Sequence, residues 1–190
     1  MLKEIEEYAH VNRIPIMLPD GIDYLCNYID KHNIKRILEI GSAIGYSAIR
    51  MALVNDDIMV TTIEKDVDRY NEAIKNIHKF NLDERINIIL DDALNTKIEG
   101  EFDLIFIDAS KGNNINFFKK YSQNLAKYGI IITDNLFFHG LVNDESLIKT
   151  KNQRGIVKKI KEFITFLAEN EEFVTEYISV GDGLSISMRK

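Results

Sequence analysis

Four successive apolar runs in this chain end in acids. Met59–Ile63 runs into Glu64, Ile86–Leu90 into Asp91 and Asp92, Phe102–Ile107 into Asp108, and Ile130–Thr133 into Asp134 and Asn135. Carboxylates gathered on one rim repel each other unless a ligand or a cation intervenes, so four in register are poorly explained as helix caps. Each suits a different task. Glu64 lies about 20 residues beyond Gly41, the offset at which an acid accepts hydrogen bonds from ribose hydroxyls; its alternative use is to cap the helix that starts after Asp66. Asp92 followed by Ala93 fits an adenine contact, with a carboxylate toward the exocyclic amine and a small side chain beneath the ring. The alternative is a solvated loop acid. Asp108, Asp134 and Asn135 offer three hard oxygen donors from adjacent strand ends, a set suited to Mg2+ with room for water and substrate. Taken singly, they read as a cap and a turn.

A glycine-bearing turn precedes these acids. The apolar run Ile37–Ile40 leads into Gly41 and Gly45, and a helical pattern follows through Ala48, Ile49, Met51, Ala52 and Leu53. Glycine lets a ligand approach the backbone closely, and a helix starting beside a strand end offers free N–H groups to a polar ligand. The spacing Glu39-x-Gly41-x-x-x-Gly45 is neither the G-x-G-x-x-G dinucleotide fingerprint nor a P-loop, which ends in G-K-[ST].

The elements that must position these groups alternate. Helical patterns over Leu2–Asn12 and from an Asp20 cap to about His32 come first. Strands follow at Arg36–Ile40, Met59–Ile63, Ile86–Leu90, Phe102–Ile107 and Ile130–Thr133. Helices are read after Tyr46, over Val67–Phe80, from Asn113 to Leu125 and from Gly155 to Glu169. Two last strands, near Val174–Val180 and Leu184–Met188, flank the hairpin signal Gly181-Asp182-Gly183. Alternation implies an α/β fold with a doubly wound parallel sheet, and the closing hairpin adds an antiparallel pair. The expected organisation is one domain over 1–190, with a helical cover over 1–33 and a Rossmann-like core over 34–190.

Composition narrows the class. A net charge of −6 gives no global basic field for nucleic acid. One cysteine, Cys26, leaves no internal disulfide and no cysteine-based zinc site, and its neighbours make it a buried apolar thiol. No secretory signal or membrane span is read, so the expected location is the cytoplasm, with no membrane partner.

Glu39-x-Gly41-x-x-x-Gly45-Tyr46-Ser47, Phe106-Ile107-Asp108-Ala109-x-Lys111 and Asp134-Asn135 together resemble the cation-dependent O-methyltransferases that use S-adenosylmethionine (SAM), the caffeoyl-CoA and catechol types. The likeness runs to Gly181-Asp182-Gly183-Leu184. The segment Arg13-Ile14-Pro15-Ile16-Met17 looks closer to the bacterial branch that methylates 5-hydroxyuridine in tRNA. The resemblance implies a class I SAM methyltransferase fold with a seven-stranded, mostly parallel sheet. It implies SAM contacts from Met17, Glu39, Gly41, Ser47, Glu64, Asp92, Ala93 and Asp108, and Mg2+ held by Asp108, Asp134 and Asn135. Lys111, with Asp108, is the implied catalytic group, as base or as electrostatic partner of the oxyanion; the alternative is a plain surface lysine. A homodimer is the default for such enzymes. The tryptophan that some relatives place after Asp-Asn is replaced by Leu136-Phe137-Phe138-His139.

Lys149, Lys151, Arg154, Lys158, Lys159 and Lys161 fall in a window without an acid. It reads either as a grip on tRNA phosphates, to which Lys119 and Lys120 would add, or as a solvated helix face. Three functions therefore stand: methylation of tRNA wobble 5-hydroxyuridine to 5-methoxyuridine, methylation of a small catechol-like phenol, and non-enzymatic SAM binding. The paired metal donors beside Lys111 favour an enzyme, and the basic window favours tRNA.

Overall fold

The computed structural model describes residues 1–190. Its strands are β1 (Arg36–Ile40), β2 (Met59–Glu64), β3 (Ile86–Leu90), β4 (Phe102–Ile107), β5 (Leu125–Thr133), β6 (Phe173–Ile178) and β7 (Leu184–Arg189), and its helices are α1 (Leu2–Asn12), α2 (Pro19–Lys31), α3 (Tyr46–Ala52), α4 (Val67–Lys79), α5 (Asn114–Tyr121) and α6 (Lys151–Ala168). The strands form one sheet in the order β3-β2-β1-β4-β5-β7-β6. The first five are parallel, and β7 lies antiparallel between β5 and β6. The chain winds outward from β1 to β3, then returns to build the other half from β4. The crevice for a ligand lies at that switch, outside the carboxyl ends of β1 and β4.

Strand periodicity divides the core into two layers. Leu104 and Phe106 join a cluster with Ile5, Leu25, Ile29, Ile49 and Ile77, from α1 to α4. Their neighbours Ile105 and Ile107 join Phe117, Phe118, Phe163 and Leu167, from α5 and α6. Successive side chains on a strand point to opposite faces, so near-continuous apolar strands are what a sheet covered on both sides requires.

The structure moves several boundaries. Leu18 and Pro19 open α2, so Asp20 is not its cap. Proline is pre-organised for the first helical position and needs no N–H there. Asp20 instead accepts hydrogen bonds from its neighbour Gly21 N (3.1 Å) and from Gly181 N (3.2 Å). Helix α5 stops at Tyr121, because β5 begins at Leu125. The pairing of β4 with β5 slips between Phe102 and Leu104. At the slip Gly129 lies so close to the Leu125 side chain and the Phe102 carbonyl that a Cβ would meet them at 2.8 and 2.9 Å. Helix α6 starts at Lys151 rather than Gly155, nucleated by a capping box in which Thr150 and Gln153 satisfy each other's backbone. Between β3 and β4 there is a turn and no helix, so the alternation is incomplete. No helix is long and apolar enough to cross a membrane.

Candidate active site

The backbone ladder continues through the strand-end residues and sets them in register. Gly41 donates to Ile63 O, Asp91 to Glu64 O, Asp108 to Ile40 O and Asp134 to Ile107 O, at 2.9–3.1 Å. Above this rim lies a cavity of about 340 Å³, lined by Gly41, Ser47, Glu64, Asp91, Asp92, Ala93, Asp108, Lys111, Asp134 and Asn135 among others. Met17 closes it from above with Pro15, Ile16 and Leu18. Of the sequence-predicted site residues, only Glu39 is not brought to the cavity.

Glu39 is fully buried beneath the floor on β1. Its carboxylate accepts the Ser47 hydroxyl and the Thr62 hydroxyl, the latter at 2.5 Å. Burial pushes its pKa up to about 7, against the opposing pull of those two hydrogen bonds. It therefore acts on the cavity through Ser47, whose helix α3 opens after Gly45 (φ 81°). At Gly41 (φ 96°) a Cβ would lie 2.7 Å from the Asp108 carbonyl, so this glycine allows the turn to pack on the β4 loop. Ser42 Oγ, buried in the same turn, has no partner within the protein. An orphaned hydroxyl on a cavity wall costs free energy until a ligand pairs with it.

On the β2–β3 side every acid is already partnered. Glu64 accepts Ala43 N (2.8 Å) with one oxygen and Lys65 N and Asp66 N (both 2.9 Å) with the other. It does not cap α4, which is the work of Asp66, acceptor for Asp68 N and Arg69 N. Asp92 closes its turn by accepting Leu94 N (2.9 Å), and Asp91 accepts the Thr96 hydroxyl (2.9 Å). Ala93 is buried.

The β4–β5 side is built differently. Asp134 is 4% exposed and Asp108 is half-buried. Desolvation raises the pKa of both, and Asp134 is raised further by the charge of Asp108. Lys111 is the cation that opposes these shifts. Two such carboxyls titrate as a pair, holding a proton unless a positive charge arrives. Asn135 takes a left-handed conformation (φ 66°) and donates its side-chain amide to Asp134 (2.8 Å), leaving its carbonyl oxygen available. No three His, Cys, Asp or Glu side chains are placed together so as to hold a metal ion. The donor set is instead two carboxylates and an amide oxygen, and this fits a hard cation that keeps several water ligands.

Sequence reasoning missed how the neighbouring loop is held. Phe138 and His139 also have positive φ (45° and 55°). The last hairpin supports them: Asp182 O accepts Phe137 N (2.7 Å), Gly183 O accepts Leu136 N (3.0 Å), and the buried Asp182 carboxylate accepts His139 N (2.6 Å). At Gly183 a Cβ would strike the Phe137 ring at 2.8 Å. The glycine–acid–glycine triplet is the available signal, but as a hairpin mark and as the end of the family likeness it does not say which loop it holds.

The basic window is less free than its sequence suggests. All six of its cations are exposed, but Lys158 and Lys159 pair with Glu162, and Lys161 pairs with Glu145. Lys149, Lys151 and Arg154 form no ion pair. Lys119 lies over the Phe166 ring, and Lys120 turns inward to two backbone carbonyls. Cys26 is half-buried, its thiol pushed up to about 11 by desolvation.

The O-methyltransferase family profile matches residues 1–190. A caffeoyl-CoA O-methyltransferase of Populus kitakamiensis is 31% identical over 206 residues, covering 99% of this chain and 86% of the relative. A Staphylococcus aureus structure, provisionally described as a caffeoyl-CoA O-methyltransferase, superposes with a TM-score of 0.95 at 35% identity, covering 100% of this chain and 92% of that one. The methyltransferase PaMTH1 of Podospora anserina, bound to S-adenosylhomocysteine (SAH), superposes with a TM-score of 0.87 at 26% identity, covering 100% and 87% of the two chains.

Proposed function

We propose a metal and an acceptor for this chain from one premise: it belongs to the O-methyltransferase family and is a SAM-dependent O-methyltransferase. The reading is Mg2+-dependent methylation of wobble 5-hydroxyuridine in tRNA to 5-methoxyuridine, by a cytoplasmic homodimer. The observation that carries it is the convergence on one cavity wall of the Asp108 and Asp134 carboxylates and the Asn135 amide oxygen beside Lys111.

In this reading Asp108, Asp134 and Asn135 hold the ion. When bound, it favours the ionised form of a chelated acceptor hydroxyl and fixes its direction. Lys111 takes that hydroxyl's proton or stabilises the oxyanion. Glu64 takes the ribose hydroxyls, Asp92 and Ala93 the adenine, and Met17, Gly41 and Ser47 the methionine side, with Glu39 fixing Ser47. A sulfonium methyl held there in line with the acceptor oxygen would exchange its S–C bond for an O–C bond and leave SAH, and the alignment these residues give would supply much of the rate. A 5-hydroxyuridine offers adjacent oxygens, O4 and the 5-hydroxyl. Lys149, Lys151 and Arg154 would meet backbone phosphates beside the rim.

A second reading, methylation of a small catechol-like phenol, is favoured by two observations. The Populus relative is a caffeoyl-CoA O-methyltransferase, and ion pairs with Glu145 and Glu162 already engage half of the cations in the basic window. The deciding experiment is methyl transfer from labelled SAM to tRNA bearing unmethylated 5-hydroxyuridine, beside a catechol, with Mg2+ and then with chelator. Labelled tRNA that disappears with chelator is the expected result. Labelled catechol alone transfers the metal mechanism to small phenols, and turnover unchanged by chelator overturns the metal.

A further inference from the structure

Helix α5 joins the two halves of the cavity rim. Its head follows the short turn Lys111–Asn113, so it grows directly out of the segment that carries Asp108 and Lys111. Phe117, midway along it, lines the cavity. Its tail reaches the β3 turn on the far side of the rim. There Lys120 Nζ donates to Ala93 O (3.0 Å) and Leu94 O (2.8 Å), while Tyr121 OH donates to Ala93 O (2.6 Å).

These contacts are unusual in their direction. A lysine ordinarily keeps its ammonium in water and lays only its stem on the protein. Lys120 instead spends its charge on two successive carbonyls and packs 5.3 Å from the Tyr121 ring centroid. Tyr121 is 1% exposed, and its hydroxyl must find a partner once buried. Without these donors the Ala93 and Leu94 carbonyls would turn to solvent, because no helix follows β3 to engage them.

We propose that Lys120 and Tyr121 are positioning residues for SAM binding: by clamping the Ala93 and Leu94 carbonyls they hold the Asp92–Ala93 turn at the height where an adenine ring fits, and α5 makes that height depend on the loop carrying Asp108 and Lys111. The proposal rests on the reading of Asp92 and Ala93 as the adenine contact. It adds a pair of residues that touch neither cofactor nor acceptor. A hydrogen bond of this kind contributes a few-fold in an equilibrium constant, so the two donors together set a measurable part of cofactor affinity.

The test is calorimetric titration of SAH into the full chain carrying Lys120→Ala, Tyr121→Phe, both, or Lys120→Arg, with Asp92→Ala as the control. Amide hydrogen exchange of residues 92–96 is followed in the ligand-free variants. The expected result is weaker SAH binding, on the order of three- to tenfold for each single variant. The double variant should lose more than either, because Ala93 O then has no donor. Lys120→Arg should restore binding, since its planar fork spans two carbonyls. Exchange in the 92–96 turn should quicken while that of α6 stays unchanged. Unchanged affinity in the Lys120 and Tyr121 variants, with Asp92→Ala weakened, overturns the clamp alone. Unchanged affinity in Asp92→Ala as well overturns the adenine reading, and the clamp with it. Uniformly faster exchange across the chain, without rescue by arginine, identifies a purely structural role and also overturns the clamp.

Discussion

The two halves of the cavity rim are built from the same residue type and are partnered differently. On the β2–β3 side, Glu64 is held by three backbone N–H groups and Asp92 by one. That side is finished before any ligand arrives. On the β4–β5 side, the half-buried Asp108 and the buried Asp134 share one facing cation, Lys111, and desolvation raises the pKa of both. Such a site waits for charge. In the proposed reading the cofactor meets a surface that is already hydrogen-bonded, whereas the reacting oxygen meets a centre whose charge is supplied on binding. Groups arranged against their own stability are a common mark of functional sites.

Substitutions should separate the halves. The largest effect is expected at Asp134. Asp134→Asn should lower methyl transfer by about a thousandfold or more while SAH affinity, measured by calorimetry, holds within about twofold of the parent. The same change relieves the repulsion with Asp108, so the metal-free melting temperature should rise, and added Mg2+ should no longer raise it. Loss of SAH binding in this variant would break the division. Next comes Glu64→Ala, which strands three amides. We expect SAH affinity to fall by about a hundredfold and urea-measured stability by about 2 kcal/mol, the opposite stability sign to Asp134→Asn.

Glu39 lies under the seam, sensing the charge of Glu64 and in turn affecting Asp108. Its folded pKa of about 7 stands above its ordinary value of 4.5. The folded chain therefore holds a proton there that the unfolded chain releases. The stability this gives is full below pH 4.5 and is lost as pH rises through 7. Glu39→Gln should flatten the fall in unfolding free energy between pH 5 and 8 by about 2–3 kcal/mol, as read from urea titrations at each pH. The smallest effect is expected on α6 and the loop before it. Reversing Lys149, Lys151 and Arg154 to glutamate should weaken tRNA binding about tenfold and reduce its salt slope by up to about three, with less from Lys158, Lys159 and Lys161. An unchanged slope would confine the acceptor half to the cavity itself.

Much of this organisation is legible without coordinates, because parallel strands buried on both faces must be short and apolar and their ends must carry the chemistry. Ile37–Ile40 and Phe102–Ile107 are unambiguous for that reason, and Gly41 after the first and Asp108 after the second mark the rim. The Thr150–Gln153 capping box was also there to be read, and was missed in favour of the apolar stripe that begins later. Other features arise only from the fold. Nothing local to Asp182 says that it will hold His139 N, and nothing in the window from Lys149 to Lys161 shows that Glu145 will meet Lys161, whereas the pairs of Glu162 with Lys158 and Lys159 follow from helical spacing. Glu39 looks like a ligand contact because it belongs to the motif. Only its burial shows that it works from below, through Ser47.

The hydrogen bond from Gly181 to Asp20 joins two residues near opposite ends of the chain. Next to it, the Gly181 and Gly21 backbones touch so closely that a Cβ on Gly181 would lie 3.2 Å from the Gly21 Cα. During synthesis the cavity-lining residues Pro15 to Leu18 leave the ribosome long before the hairpin that seats the start of α2. Contacts of such long sequence separation form late, and chains are made at only about 5–20 residues per second. The Pro15–Leu18 wall of the cavity is therefore seated only once Gly181 has been made. A chain cut short before Gly181 would keep much of its parallel sheet, leave that wall unmoored, and offer quality-control proteases an open cleft in place of an enzyme.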